Sequence, residues 1–217
     1  MTEIIMQRNV KQNWQKLPID FYTRDNVVTI AKDLLGKLLV TKFDGILTAG
    51  RIVETEAYNG AIDKASHAFG NRRTHRTEVM FANGGTVYVY LCYGIHHLFN
   101  VVTNIAEIPH AVLIRAVEPV IGVETMLSRT AKGKIDFTIT KGPGNVSKAL
   151  GITTQHTGAN LQSAELFIAD DDYIVKKSCV LATPRIGVIY AKEDALLPYR
   201  FIIKGNPFVS AKKRLTK

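Results

Sequence analysis

RIVETEAYNGAIDKASH, residues 51–67, places two carboxylates, an aromatic ring and an imidazole close together in the chain. Its first eight residues are typical of a β-strand, in which side chains two apart fall on one face of the sheet. Glu54, Glu56 and Tyr58 therefore share a face. Either that face is exposed to solvent, where acidic side chains are common, or it lines a site in which the acids do chemistry.

A helix and two strands are predicted around this stretch. Asp25 or Asn26 can cap a helix whose apolar residues recur at helical spacing, and Gly36 can end it. Strand-like runs follow at residues 37–41 and 46–58. The quoted stretch thus lies at the end of a long predicted strand and in the loop after it, where binding residues are common.

A second pair of strands is predicted at residues 86–92 and 98–104, so the residues from Tyr93 to His97 form the turn of a hairpin. Further strands are predicted at residues 111–116, 166–169, 173–179, 185–190 and 199–204, with short helices near residues 124–129 and 146–150. This order predicts an α+β fold: a curved, mostly antiparallel sheet with short flanking helices and a protruding β-hairpin.

Length and composition predict one domain over residues 1–217, with about the first 20 residues and the basic tail peripheral. No apolar run is long enough to span a bilayer, and the N-terminus lacks the pattern of a secretory signal, so we expect a cytoplasmic protein that does not enter membranes. Cys92 and Cys179 lack the spacing of a zinc site or a disulfide framework. No phosphate-binding glycine motif is present, so no nucleotide cofactor is predicted.

The chain is basic, with 28 lysines and arginines against 19 acidic residues and a net charge of +9. Such a charge favours a polyanionic partner, because each neutralised phosphate releases counterions. Arg72, Arg73, His75 and Arg76 follow directly on the acidic and aromatic stretch. This arrangement points to nucleic acid more strongly than net charge does.

Several chemical roles remain open on the residues alone. Glu56 can activate a water molecule, and Glu54 can be its acidic partner or a second ligand of a divalent metal in a nuclease. Tyr58, His67, Tyr88 and Tyr90 can stack around a planar ligand or fill the core. Two further residues have the same ambiguity: Tyr93 suits insertion into a base stack, and Asn100 can meet a base edge or make a structural hydrogen bond.

Longer blocks of sequence carry a resemblance to a known family. They are RIVETEAY, ASHAFGNRRT, RTEVMF, VYVYLCYGIHHLFNVV, LIRAVEP, KGPGNVSKALGI and PRIGV, in order along nearly the whole chain. Together they resemble the alkyladenine (3-methyladenine) DNA glycosylase family. The resemblance implies a monofunctional enzyme of base excision repair that flips alkylated or deaminated purines out of damaged double-stranded DNA. It would hydrolyse the N-glycosidic bond of 3-methyladenine, 7-methylguanine, hypoxanthine or ethenoadenine as a monomer, without cofactor or metal, and leave an abasic site.

The resemblance also implies roles for individual residues, with Glu56 as the general base and Glu54 only as its neighbour. Arg115 and the backbone at Ile186 would help to place the attacking water, and Tyr93 would fill the gap left in the duplex. The flipped base would be enclosed by Tyr58, His67 and Tyr90, and Asn100 would discourage normal guanine through its exocyclic amine.

Three residues depart from what the family leads us to expect: Ile95 stands where methionine is common, His75 where proline is common, and Phe208 where tryptophan is common. Ile95 lies nearest the predicted pocket and bears on lesion preference. Two other functions compete with the glycosylase, namely a metal-dependent nuclease that uses Glu54 and Glu56, and a DNA-binding protein without enzymatic activity.

Overall fold

The structure, a computed structural model, describes residues 14–210. Nine strands of this part of the chain form a single antiparallel sheet. They are β1 (Gln15–Lys16), β2 (Leu38–Phe43), β3 (Ile46–Tyr58), β4 (Val87–Cys92), β5 (His96–Thr103), β6 (His110–Ile121), β7 (Leu166–Asp170), β8 (Val180–Thr183) and β9 (Arg200–Ile203). The basic tail at residues 212–217 and most of the N-terminal segment considered above lie outside the described residues.

Four α-helices and six short 3₁₀ segments connect the strands of residues 14–210. The helices are α1 (Ile19–Tyr22), α2 (Val27–Asp33), α3 (Val123–Thr130) and α4 (Pro143–Leu150). The 3₁₀ segments are Gly60–Ile62, Phe69–Asn71, Glu78–Phe81, Thr154–His156, Lys177–Cys179 and Ile189–Leu196. None of the helices described is long and apolar enough to cross a membrane.

β3 is the central strand and positions the site. Along one edge it pairs with β6, while its other edge is shared, with β2 beside its first half and β9 beside residues 54–56. The pairing of β3 with β6 shifts register around Glu54. Such β-bulges increase local twist and redirect side chains, and they often occur beside active sites. The predicted curved, largely antiparallel α+β sheet is confirmed.

The remaining strands order as β1-β7-β2-β3-β6-β5-β4, with β8 attached to the outer edge of β9. Helices α2 and α4 pack their apolar residues against the sheet and complete the main core. Asn26 begins α2, because its side chain accepts a hydrogen bond from the Thr29 N–H at 2.9 Å. The capping prediction is therefore confirmed at Asn26, although the helix ends at Asp33, before Gly36.

Two predicted strands are wrong. Residues 173–176 are irregular, and the Tyr173 ring packs against Arg51 of β3, whose guanidinium carbon lies 4.0 Å from the ring centre. Residues 185–190 form a loop and the beginning of a 3₁₀ segment. This second run looks like a strand in composition, but the Ile186 N–H donates to a side-chain carboxylate on β3, so no strand neighbour receives it.

Strand bounds also differ from prediction at two places. β5 begins at His96, so the hairpin turn is shorter than the predicted Tyr93–His97 segment. β6 continues past Pro119 to Ile121, although proline is disfavoured inside a sheet. Pro119 is accommodated because it lies opposite Gly50 at a register shift, and proline is tolerated at such irregularities of a sheet.

Candidate active site

Glu56 lies near the end of β3 and is fully buried. Its Oε1 accepts a hydrogen bond from the Ile186 N–H at 2.8 Å. Its Oε2 accepts one from the Tyr58 hydroxyl at 2.8 Å and one from Arg115 Nη1 at 3.3 Å. A buried carboxylate needs such donors because it has lost its hydration. The three donors hold the Glu56 carboxylate in one orientation.

The Tyr58 hydroxyl is a permanent donor in this arrangement. Burial, with the negative charge of Glu56 beside it, raises the pKa of Tyr58 well above its ordinary value. The phenol therefore stays protonated over the physiological pH range and keeps its hydrogen bond to Glu56. Arg115 donates to both Glu54 and Glu56, and Tyr58 donates to Glu56. The prediction that Glu54, Glu56 and Tyr58 share a face is therefore confirmed.

Arg115 comes from the adjacent strand β6 and is 8% exposed. Its Nε donates to Glu54 Oε1 at 3.0 Å, and its Nη1 donates to Glu56. Burial acts to lower the pKa of Arg115, but the charges of Glu56 and Glu54 outweigh it, so the pKa is raised. The guanidinium is a fixed positive charge between two carboxylates.

The loop that carries Ile186 is anchored by a buried ion pair. Arg185 donates to both oxygens of Asp63, which follows the 3₁₀ segment Gly60–Ile62, and also to the Ala57 carbonyl at 2.9 Å. The guanidinium carbon lies 4.8 Å from the centre of the Tyr58 ring. This anchor fixes the loop against β3, so that the Ile186 N–H meets Glu56. The sequence signalled Asp63 only by its place in the opening stretch, and Arg185 only by the PRIGV block.

A cleft of about 680 Å³ opens beside these residues. All three donors to Glu56 line it, and Glu56 itself lies directly behind them. A small pocket of about 30 Å³ adjoins the cleft and shares Tyr58, His67 and Tyr90 with it. Of the predicted site residues, the cleft is lined by Tyr58, His67, Tyr90, Tyr93, Arg115 and Ile186, and the small pocket by Tyr58, His67, Tyr88, Tyr90 and Asn100.

The aromatic wall of the cleft is built around His67. Its ring centre lies 4.6 Å from that of Tyr90, with the planes at 78°. Its Nδ1 lies 2.8 Å from the Tyr88 hydroxyl and its Nε2 lies 3.3 Å from Arg76 Nη2. Since arginine can only donate, Nε2 is the acceptor and the proton of the neutral ring sits on Nδ1. Burial and the guanidinium groups of Arg76 and Arg72 lower the pKa of His67 to about 4.

Asn100 lies on β5 at the floor of the small pocket and is 3% exposed. Its side-chain amide nitrogen donates to the backbone carbonyls of Tyr88, at 3.2 Å, and Leu98, at 3.1 Å. Both alternatives raised by the sequence are therefore compatible with the structure. The amide makes structural hydrogen bonds and also lines a pocket.

Tyr93 occupies the tip of the hairpin between β4 and β5 and is 91% exposed. Tyr93 and Gly94 both have positive φ angles, 52° and 72°, and the turn is closed by the Ile95 N–H, which donates to the Cys92 carbonyl at 3.2 Å. A left-handed conformation is unfavourable for a tyrosine, and such strain tends to occur at functional positions. The fold thus presents an aromatic ring to solvent at the mouth of the cleft.

Positive side chains border the cleft. Arg76 lines it with its guanidinium carbon 4.9 Å from the centre of the Tyr90 ring, and Lys141, just before α4, lines it as well. Tyr190, which the sequence did not single out, lines both cavities and donates to the Ala65 carbonyl at 3.1 Å. No group of three or more histidine, cysteine or acidic residues within residues 14–210 is arranged to hold a metal ion. The arrangement can take a planar group among rings beside a fixed carboxylate.

Comparison with known proteins identifies close relatives. Residues 20–207 match a family model described as methylpurine-DNA glycosylase (MPG). A protein of Clostridium perfringens (strain 13 / Type A) is 44% identical over 205 residues, which cover 91% of this chain and 100% of the relative. A protein of Bacillus cereus (strain G9842) is 47% identical over 204 residues, 90% of this chain and 98% of the relative. Both carry the name "Putative 3-methyladenine DNA glycosylase".

Proposed function

The chain belongs to the methylpurine-DNA glycosylase family, and we propose that it flips damaged purines out of duplex DNA into the cleft beside Glu56. It is a DNA-3-methyladenine glycosylase, a hydrolase of the N-glycosidic bond. The proposal extends its substrates to 7-methylguanine, hypoxanthine and ethenoadenine. The observation that carries it is a buried carboxylate, fixed by three donors, immediately behind an aromatic cleft.

Glu56 is proposed as the general base. A water molecule would attack the sugar carbon, its proton would pass to the Glu56 carboxylate, and the bond from that carbon to the base would break with its electron pair going to the base. A cationic purine then leaves as a neutral molecule, and a neutral purine takes up a proton from solvent as it leaves. The negative charge would also stabilise positive charge that develops on the sugar. Arg115 and the Ile186 N–H hold the carboxylate. In this proposal they also help to orient the water.

The rings of Tyr58, His67 and Tyr90 are proposed to enclose the extruded base. A purine methylated at N3 or N7 is cationic, and electron-rich rings attract cations. His67 suits this role because it stays neutral at physiological pH and adds no positive charge against such a base. Neutral lesions such as hypoxanthine would bind by stacking alone.

Tyr93 and Asn100 are proposed to control access. A base in a duplex cannot be attacked at its sugar bond while it is stacked, and extrusion costs a few kcal/mol. Tyr93 would offset part of this cost by filling the vacated stack, as wedge residues do in proteins that bend DNA. Asn100, held by two backbone carbonyls, would crowd the exocyclic amine and so discourage normal guanine. 7-Methylguanine carries the same amine, but it is cationic and departs more readily.

The nuclease alternative would need Glu54 and Glu56 together as metal ligands. Both carboxylates are engaged by Arg115, and Glu54 is engaged by Arg200 as well. A divalent cation would have to displace these guanidinium groups, which are themselves buried. The contacts therefore favour a carboxylate that takes a proton over a pair that shares a metal.

The proposal is tested with three duplexes: one treated with a methylating agent, one carrying a single hypoxanthine and one carrying a single ethenoadenine. The reaction runs in chelator, and alkali then cleaves the strand at abasic sites. We expect loss of the damaged base from each duplex, and no covalent complex after borohydride treatment. Inactivity on all three would contradict the proposal, while activity only after addition of a divalent metal would favour the nuclease.

A further inference from the structure

Glu54 is as completely buried as Glu56 but has a different set of partners. Its Oε1 accepts hydrogen bonds from Arg115 Nε at 3.0 Å, Arg200 Nε at 2.7 Å and the Ser210 hydroxyl at 2.6 Å. Its Oε2 accepts one from the Ser210 N–H at 2.7 Å. The positive charges of Arg115 and Arg200 and the bonds from Ser210 outweigh burial and lower the pKa of Glu54, so the carboxylate is ionised.

The partners of Glu54 are themselves fixed. Arg200 donates to the Thr183 hydroxyl at 3.1 Å and to the Ser210 carbonyl at 2.7 Å. Glu54 pairs with Ile202 of β9 and stands at the register shift between β3 and β6. Three parts of the chain, namely β8, β9 and the segment ending at Ser210, therefore hold one carboxylate in place.

Arg115 depends on this carboxylate for its orientation. Within residues 14–210 its guanidinium donates to two side chains, Glu54 through Nε and Glu56 through Nη1. The bond to Glu54 is the shorter, at 3.0 Å against 3.3 Å. Because a guanidinium is planar, fixing Nε also fixes the direction in which Nη1 points.

We propose that Glu54 is a positioning residue for base excision: held by Arg200 and Ser210, it fixes Arg115 at Nε and thereby sets how Arg115 meets Glu56. Without Glu54, the guanidinium would lose the acceptor at its Nε and could turn away from Glu56. Glu54 does not itself touch the substrate. This inference rests on the proposed role of Glu56, and it goes beyond the neighbour that the sequence led us to expect.

A purely structural role is the competing explanation, since Glu54 also joins β3 to the end of the described chain. The two explanations differ in what a substitution changes. A structural role would lower stability and act equally in any background. If Glu54 is a positioning residue, its substitution should slow the chemical step and leave DNA affinity nearly unchanged. The same substitution should have no further effect when residue 115 is a lysine, which has no guanidinium for Glu54 to orient.

The test measures single-turnover excision and duplex affinity separately for Glu54→Gln, alone and combined with Arg115→Lys. The substrate is the hypoxanthine duplex, with methylated DNA as a second substrate. Displacement of a catalytic group by about 1 Å costs on the order of 100-fold, so we expect Glu54→Gln alone to slow excision about 10- to 100-fold. In the Arg115→Lys background the same change should have little further effect. Asp171→Asn is the control, because it removes a carboxylate paired with Arg51 away from the cleft.

Ser210→Ala keeps the proposal testable should Glu54→Gln fail to fold. It removes one neutral donor to Glu54 and should slow excision at least about twofold, with duplex affinity retained. Equal losses with and without Arg115→Lys, or a wild-type rate for Glu54→Gln or for Ser210→Ala, would overturn the proposal. An inactive wild-type protein would overturn the proposed function, and the positioning role with it.

Discussion

Replacing Glu56 with glutamine tests the central carboxylate with the least change in shape. Each Glu56 oxygen faces a donor, so the amide nitrogen of glutamine must face one as well. Opposite Ile186 it would meet a backbone N–H that cannot turn away. On the other side it would meet Tyr58, whose hydroxyl can rotate to accept, and Arg115, which cannot accept at all. The second orientation is the more favourable, and it leaves Arg115 Nη1 without its acceptor.

The loss of folding stability and the loss of rate expected for Glu56→Gln can be compared in kcal/mol. One buried donor left unsatisfied costs about 1–3 kcal/mol, which lowers the Tm of a domain of this size by roughly 2–4 °C for each kcal/mol. Loss of a positioned general base slows the reaction by at least about 100-fold, which is about 2.7 kcal/mol of barrier. A protein with ordinary stability of about 5–15 kcal/mol stays folded through the first loss. The rate loss of Glu56→Gln therefore cannot come from unfolding.

The assay compares Glu56→Gln with Glu118→Gln, which makes the same change at a half-buried carboxylate on β6 that does not line the cleft. Single-turnover excision of hypoxanthine, duplex affinity and thermal unfolding are measured for both variants. We expect Glu56→Gln to bind lesion duplex at least as well as wild type and to excise at least about 100-fold more slowly. Excision by Glu56→Gln at the rate of Glu118→Gln would refute the assigned mechanism.

Three further predictions use other parts of the site. Tyr93→Ser should fold normally, because the side chain is exposed, and should bind lesion duplex about tenfold more weakly in a titration, since stacking on an aromatic ring contributes about 1–3 kcal/mol per base. Asn100→Ser should raise the removal of guanine about tenfold relative to hypoxanthine in competition assays, and an unchanged ratio would place the gate elsewhere. His67 has a folded pKa of about 4 against about 6.5 when unfolded, so stability should fall by at most about 3 kcal/mol as pH drops through this window. Urea titrations at pH 7 and pH 4.5 should show a smaller fall for His67→Gln.

Local patterns predicted the parts of the fold that local interactions determine. The strand at Ile46–Tyr58 follows from the alternation of its side chains. The helix cap at Asn26 follows from a hydrogen bond between its side chain and the first turn of the helix. The hairpin with Tyr93 at its tip follows from two β-rich runs around a glycine. In each case, the residues that decide the structure lie within a few positions of one another.

The loop at Arg185 and Ile186 shows where this approach fails. Its composition is that of a strand, but its conformation is set by Asp63 and Glu56, more than 120 residues earlier in the chain. No short-range pattern encodes a backbone N–H that is used by a carboxylate, or an arginine buried against an aspartate. Tyr190 was missed for the same reason, because its place in the cavities depends on that loop.

The two acids on β3 show what alternation along a strand does and does not determine. It places Glu54 and Glu56 on one face, and both are buried, but it cannot distinguish their roles. The distinction lies in their partners: Glu54 accepts bonds from two guanidinium groups and from Ser210, whereas Glu56 accepts one bond from a guanidinium, and that at 3.3 Å. Two cations largely neutralise the first carboxylate and suit it to hold other groups in place. The second carboxylate lies directly behind residues that line the cleft and shares a single cation, which is the arrangement that the proposed general base requires.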